Sequence, residues 1–425
     1  MIKINTGKIF NFSKLLGSTF VVQGLVQALG MLVGFYIVRK LSVQEYAYYT
    51  IANTVLGMMS VISDCGISTS VYSQGAKVWQ DRKKLGAVVH TGIAFRNKFA
   101  LIAVAISLPV LAYMLHRQGA GIFTIIVISL ALLPAFVATL TDSLYEVVPK
   151  LHQELKVLQT NQVWVALLRL FIAGVALFVF PFTWIALLSN GLPRIFGNMK
   201  LRGIVKKNAD ITQPEDVNVK KETIRIVKRM APGAIYYALS GQISLLILSF
   251  VGKSANIAEW GALGRYSVVF TLFTTVIHMV LVPRYSRKHN TYSALLKTSH
   301  QILFVTISLV AVVIILGNYE SDFLLSLLGK KYKGINHALL LVMISGGISC
   351  VYNILYNLYH CKGWIIHPVL DLLINIVPVI FFAIILPLRN LTEVLIYNIY
   401  IQIFYFISFY IILNHQIYFQ TREKI

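Results

Sequence analysis

Apolar residues in this chain gather into runs as long as a lipid bilayer is thick, rather than into the narrower stripes of a soluble helix. Windows of about 20 residues, enough to cross a hydrocarbon core of roughly 30 Å as a helix, cover residues 15–38, 48–72, 91–115, 122–148, 161–180, 183–199, 231–252, 261–282, 299–317, 336–359, 366–386 and 392–413. The pattern predicts twelve helices. Only Pro181 and Phe182 separate the fifth from the sixth. The first two windows flank a charged, aromatic elbow, Arg39-Lys40-Leu41-Ser42-Val43-Gln44-Glu45-Tyr46-Ala47-Tyr48-Tyr49-Thr50.

Composition agrees. Of 425 residues, 57% are hydrophobic and only 13% charged, which points to an all-α polytopic membrane protein and makes domain counting by length meaningless. The net charge of +22, from 38 Lys and Arg against 16 Asp and Glu, suits nucleic acid, anionic lipid or an anionic substrate, and its location decides among them. Loops and span ends on the side of the termini hold 26 of the 38 basic residues and those of the opposite side nine, with Arg96, Lys98 and Arg169 counted within spans. The positive-inside rule then places both ends in the cytoplasm. Lys3, Lys8 and Lys14 precede an apolar run too long for a signal peptide, so this run reads as the first membrane helix. Cys65, Cys350 and Cys361 show neither disulfide nor metal-site spacing and read as small apolar fillers.

The longest polar stretch, residues 200–230, carries Gln213-Pro214-Glu215-Asp216 at its middle and lies between the sixth and seventh windows. It reads as a cytoplasmic linker between six-helix lobes 1–199 and 231–425, its basic flanks facing the anionic inner leaflet rather than nucleic acid. A shift of 214 residues lays Arg39 on Lys253, Glu45 on Glu259, Tyr46 on Trp260 and Ala47 on Gly261, the trace of a duplicated hairpin.

The elbow residues Arg39 to Ser42 and Glu45 to Tyr49, with Asp64-Cys65-Gly66-Ile67-Ser68 in the second window, resemble polysaccharide biosynthesis flippases of the O-antigen (Wzx) type. These belong to the multidrug, oligosaccharidyl-lipid and polysaccharide exporter superfamily. Ala47 stands where a glycine is common in that family. The resemblance implies about twelve transmembrane helices in two six-helix lobes around a central cavity. It also implies alternating access, and movement of an undecaprenyl-diphosphate-linked oligosaccharide, an O-antigen or capsule unit, across the bacterial inner membrane.

Ionisable groups inside a span are costly and mark function or pairing. Arg169 lies mid-window and is read either as a cation for a diphosphate or acidic sugar, or as the partner of Asp64 or Asp142. Arg96 and Lys98 are expected to snorkel to headgroups. Arg194 follows Asn190-Gly191 and Pro193, where an interrupted helix would expose backbone to a ligand. Arg39, Lys253 and Arg265 are interfacial cations able to draw an anionic head outward, and Asp64 is the acidic candidate beside them. Asp371 and Asn375, four residues apart, share a helix face and offer oxygen ligands to a coupling H+ or Na+, or else make an ordinary interhelix hydrogen bond. His278 reads as a satisfied interhelix histidine. The tyrosine-rich runs 46–49 and 352–359 read as packing or interfacial belts, with sugar stacking as the alternative.

No phosphate-binding loop ending in Lys-Ser or Lys-Thr is present, so direct ATP hydrolysis is not expected. Transport would run on an ion, potential or substrate gradient, with no cofactor. Expected partners are the lipid-linked oligosaccharide, membrane lipids and other polysaccharide assembly proteins. Two alternatives remain: a multidrug antiporter of the same superfamily, which a cationic cavity disfavours, and a membrane polymerase or ligase. The latter needs positioned acids or a metal, whereas the longest external loop, residues 318–335, is short and mixes Glu320 and Asp322 with lysines.

Overall fold

The structure, a computed structural model, describes residues 6–240, 242–286, 291–362, 364 and 366–422. Lys3, Arg287, Lys288 and Lys424 of the charge count lie outside them. Among the described residues there are helices and no strands, as a bilayer demands: each helix satisfies its own backbone hydrogen bonds.

The chain divides into two compact units, Met1–Leu245 and Leu246–Ile425. In the first, α1 (Thr6–Lys40), α2 (Val43–Asp64), α3 (Ile67–Val78), α4 (Arg82–Arg117) and α5 (Ile122–Tyr145) are followed by the short α6 (Val147–Leu151). Then come α7 (Leu155–Val179), α8 (Thr183–Asn208) and α9 (Val217–Ser240), with α10 (Ile243–Val251) across the boundary. The second unit holds α11 (Ser254–Leu263), α12 (Ser267–Ser286), α13 (Tyr292–Tyr319), α14 (Ser321–Leu328), α15 (Asn336–His360), α16 (Pro368–Ile385) and α17 (Leu391–Arg422).

Each of the twelve expected windows coincides with one helix or with two consecutive helices. Among the described residues, seven helices are long and apolar enough to span unaided, and α2 with α3, bent by 44°, makes an eighth. Two of the others, α8 and α9, carry a polar load. Helix α8 bears Arg194, Lys200, Arg202, Lys206 and Lys207, and α9 opens with a charged half before Pro232.

Small residues set the spacing in the first unit. A Cβ on Gly191 of α8 would lie 2.7 Å from the backbone nitrogen of Ala135 in α5, and one on Gly197 2.4 Å from Val165 in α7. Helix α8 therefore packs backbone-close to both neighbours, the usual device where lipid supplies no hydrophobic drive between helices.

The stretch 200–230 is ordered against the first unit. Leu201, Val205, Ala209 and Val227 join Ile67, Val71, Leu85 and Val148 in one apolar core. Polar ties fix it further: Arg82 donates to the Lys206 carbonyl at 2.8 Å, Asp210 N–H to the Arg82 carbonyl at 2.9 Å, and Ser70 meets Thr223 at 2.9 Å. A segment holding so much of a core packs as part of its unit, and the contact-defined boundary falls beyond it, at Leu245.

The two elbows match less closely than the 214-residue shift implies. The first break is Leu41–Ser42, which the shift lays on Ala255–Asn256, yet the second unit breaks at Gly252–Lys253.

Candidate functional site

Two of the predicted cations meet inside the first unit. Arg169 sits on α7 and Arg194 on α8, both half-buried, and both line a cavity of about 230 Å³. Gln23 of α1, Asp142 of α5, Glu146 at the end of α5, and Asn161 and Gln162 of α7 complete its polar wall. Charges at this depth need company, because desolvation of an isolated one is expensive. Here Asp142 and Glu146 share the cavity with both arginines. Arg194 donates to Thr139 Oγ1 at 3.2 Å, Glu146 takes an ion pair from Lys150 at 2.8 Å, and a chain of amides runs from Gln23 to Gln162 at 2.8 Å and on to Glu146 at 3.2 Å.

The expectation of an interrupted helix at Arg194 is corrected. Helix α8 runs without a break through Pro193. The close contacts at Gly191 and Gly197 clamp it on both sides, and a proline inside a span is tolerated where neighbours hold the helix.

Asp64 and Arg96 belong to a different construction. Arg96 does not snorkel: it is 4% exposed, its Nη2 lies 3.0 Å from Asp64 Oδ1, and its Nη1 donates to Ser68 Oγ at 3.1 Å and to Ser143 Oγ. The reason is the break between α2 and α3. Cys65 and Gly66 both take left-handed conformations (φ 38° and 89°), which turns Asp64 so that it caps α3 through Ser68 N–H at 3.1 Å and Ser68 Oγ at 2.6 Å. The carboxylate is thus committed to the bend, which leaves Asp142 as the acid that shares a cavity with Arg169. Lys98 is exposed, with Nζ 5.9 Å from the Phe95 ring.

The elbow is structural. Ser42 caps α2 by accepting from Glu45 N–H at 3.1 Å. Glu45 in turn reaches α8, accepting from Thr183 N–H at 2.7 Å and Thr183 Oγ1 at 2.6 Å. Tyr46, Tyr48 and Tyr49 are buried, and Tyr49 accepts from Asn190 at 2.7 Å, so this run packs. Arg39 is exposed and lies outside the Arg169 cavity. In the second unit, Lys253 is exposed at the head of α11 and Arg265 is half-buried in the turn Gly264–Tyr266.

Asp371 and Asn375 do pair: the amide donates to the Asp371 carbonyl at 2.7 Å and to its Oδ1 at 3.3 Å, while Tyr405 donates to the Asn375 carbonyl at 3.1 Å. Tyr352 and Tyr356 pack against Phe409 at ring distances of 5.3 and 5.4 Å. No group of three His, Cys, Asp or Glu fit for a metal ion occurs among the described residues.

Two cavities carry no mark in the sequence. An apolar groove of about 420 Å³ between α7 and α8 is lined by Trp164, Leu168, Phe171 and Phe196, and shares Asn161 and Val165 with the Arg169 cavity. A larger one, about 640 Å³, lies wholly within the second unit among α12, α15 and α17, and includes His278, which is exposed to it. A period-3.6 polar stripe on those three helices is the signal that would have found it.

Solved structures share the arrangement. An inward-facing multidrug resistance MATE family transporter of the MOP superfamily is 13% identical at a TM-score of 0.69, over 91% of this chain and 94% of its own. The lipid II flippase MurJ in an inward closed conformation is 13% identical at 0.68, over 93% and 89%. This is the MATE and MurJ fold. A mutant of the Vibrio cholerae MATE transporter VcmN is similar too, 15% identical at a TM-score of 0.59 over 94% and 95%. No protein-family model matches the sequence, and no curated protein matches it. The chain thus has the two-lobed, all-helical fold of these structures, consistent with about twelve spans.

Proposed function

We propose that this protein moves an undecaprenyl-diphosphate-linked oligosaccharide, an O-antigen or capsule repeat unit, across the bacterial cytoplasmic membrane by alternating access. The carrying observation is the meeting of Arg169 and Arg194 in one cavity of the first unit. In the lining Arg169 and Arg194 stand against Asp142 and Glu146, and Glu146 is also engaged by Lys150. Guanidinium forks match phosphate oxygens two at a time.

The adjoining groove supports a lipid-borne substrate. Its apolar wall shares Asn161 and Val165 with the cationic cavity, so a diphosphate at Arg169 can leave its prenyl chain on Trp164, Phe171 and Phe196 in the lipid. The similar MurJ structure is of a lipid II flippase. Asp371 with Asn375 is the site proposed for a coupling H+ or Na+; membrane lipids and other polysaccharide assembly proteins are the proposed partners, with both termini cytoplasmic and no nucleic acid or cofactor.

A multidrug antiporter is the second reading, and the presence of Asp142 and Glu146 in the same cavity is what favours it. A strain lacking the protein separates them. The flippase reading expects single repeat units trapped on the cytoplasmic leaflet; accumulation of flipped, unpolymerised units overturns it, as would drug sensitivity with normal glycan export.

A further inference from the structure

The second unit's cavity has a lining unlike that of the first. Its volume of about 640 Å³ lies within the roughly 300–1,000 Å³ of small-molecule sites. No Asp, Glu, Lys or Arg lines it, whereas hydroxyls and amides do, among them Ser267, Thr274, Ser345, Asn353 and Gln402. Polar uncharged residues on membrane helices commonly glue one helix to the next. Here they face open space instead.

Their hydrogen bonds show what is left over. Thr274 donates to the Phe270 carbonyl at 3.0 Å, Asn353 to the Ser349 carbonyl at 2.7 Å, and Asn357 to the Asn353 carbonyl at 2.7 Å. The two asparagines return to their own helix, while Thr274 also reaches Cys350 Sγ on α15 at 3.3 Å. Asn353 also donates to Ser349 Oγ at 3.3 Å; the Oδ1 atoms of Asn353 and Asn357 accept no side-chain hydrogen bond among the described residues, so both amides keep an acceptor for a ligand and Asn357 a second N–H. Trp260 and Phe270 add flat apolar faces to the same wall.

A neutral wall of this kind cannot repay the desolvation of a full charge, yet it matches a ligand that carries many hydroxyls and no charge. We infer that this cavity is a second subsite that binds an uncharged, polyhydroxylated segment of the transported molecule, sugar residues distal to the diphosphate. The inference rests on the proposed substrate being a glycolipid. It makes the second unit the one that selects among glycans.

The test is equilibrium binding to the full-length protein in lipid nanodiscs, with two probes: undecaprenyl diphosphate, and the same lipid bearing an uncharged trisaccharide. The glycosylated lipid should bind about tenfold more tightly. Asn353→Leu, or Ser345→Val as a second variant should the first not stay monodisperse, should bring the two affinities together while leaving that for undecaprenyl diphosphate unchanged. Equal affinities in the unaltered protein, or a preference that survives both variants, overturn the subsite. If neither lipid binds, the flippase reading has failed instead, and the free trisaccharide decides the subsite by ligand-observed NMR. Saturation transfer lost in Asn353→Leu upholds it; no transfer, or transfer only with tetraphenylphosphonium, a bulky organic cation, overturns it.

Discussion

Arg96 Nη2 stands 3.0 Å from Asp64 Oδ1 across the break between α2 and α3, joining a buried guanidinium on α4 to the one carboxylate that caps α3. The left-handed turn at Cys65 and Gly66 is held because the Asp64 carboxylate, before it, accepts from Ser68, after it, and from Arg96 of α4. The pair locks a bend of 44° into what would otherwise be a single span.

Arg96→Met should therefore destabilise the protein by about 3–5 kcal/mol, since it strands a partly buried carboxylate. The double variant with Asp64→Asn should recover part of the loss, because neither charge then lacks a partner. Thermal unfolding in detergent reads both. Equal unfolding temperatures for the unaltered protein and Arg96→Met would show that the bend holds without the pair.

Glu45 and Thr183 join the first elbow to the start of α8. A carboxylate on the N–H groups of a helix start is favourable both as a cap and against the helix dipole. Glu45→Ala should cost about 1 kcal/mol, and Glu45→Ala with Thr183→Val less than the sum of the two, measured as a double-mutant cycle on unfolding.

Asp210 lies in the loop between α8 and α9, outside the spans. Hydrogen bonds from Thr212 Oγ1 and Gln213 Nε2, both 2.6 Å, hold its carboxyl below the ordinary value, helped by Thr212 N–H and the charge of Arg82. A depressed carboxylate stabilises the fold above its unfolded value of about 3.9 and stops doing so as pH falls through its folded value. The unaltered protein should thus unfold at a higher temperature than Asp210→Asn near neutrality. That lead should shrink on acidification below about pH 4 and should not grow; a lead independent of pH would contradict the assignment.

Asp371 offers its carboxylate beside Asn375 on α16. If this pair takes the coupling ion, Asp371→Asn should abolish the response of transport to an imposed proton or sodium gradient while the protein still binds substrate. Transport that keeps its full gradient response excludes the pair from coupling.

The membrane fold was legible because its cause is one-dimensional: stretches such as residues 122–148 must be apolar along their whole length to sit in lipid. Arg169 and Arg194 stood out for the same reason, as ionisable groups within apolar surroundings. Partnership was not legible. Asp64 and Arg96 are brought together by a bend that two residues with positive φ create, and Glu45 reaches Thr183 across most of the first unit; spacing along the chain encodes neither. The cavity of the second unit escaped notice because Ser, Thr and Asn on a membrane helix look alike whether they glue helices or face a ligand. Proline misled at α8, where the helix runs on unbroken through Pro193 with close neighbours at Gly191 and Gly197.

The central claim is that the Arg169 cavity carries an anionic glycolipid head across the membrane, and proteoliposome transport tests it most directly. Purified protein reconstituted with a fluorescent undecaprenyl-diphosphate oligosaccharide should move the lipid between leaflets, Arg169→Ala should lower the initial rate at least about tenfold, which is about 1.4 kcal/mol of lost stabilisation, and an organic cation should not be carried. Undiminished glycolipid movement by a folded Arg169→Ala protein, or gradient-driven movement of the cation instead, would contradict the account.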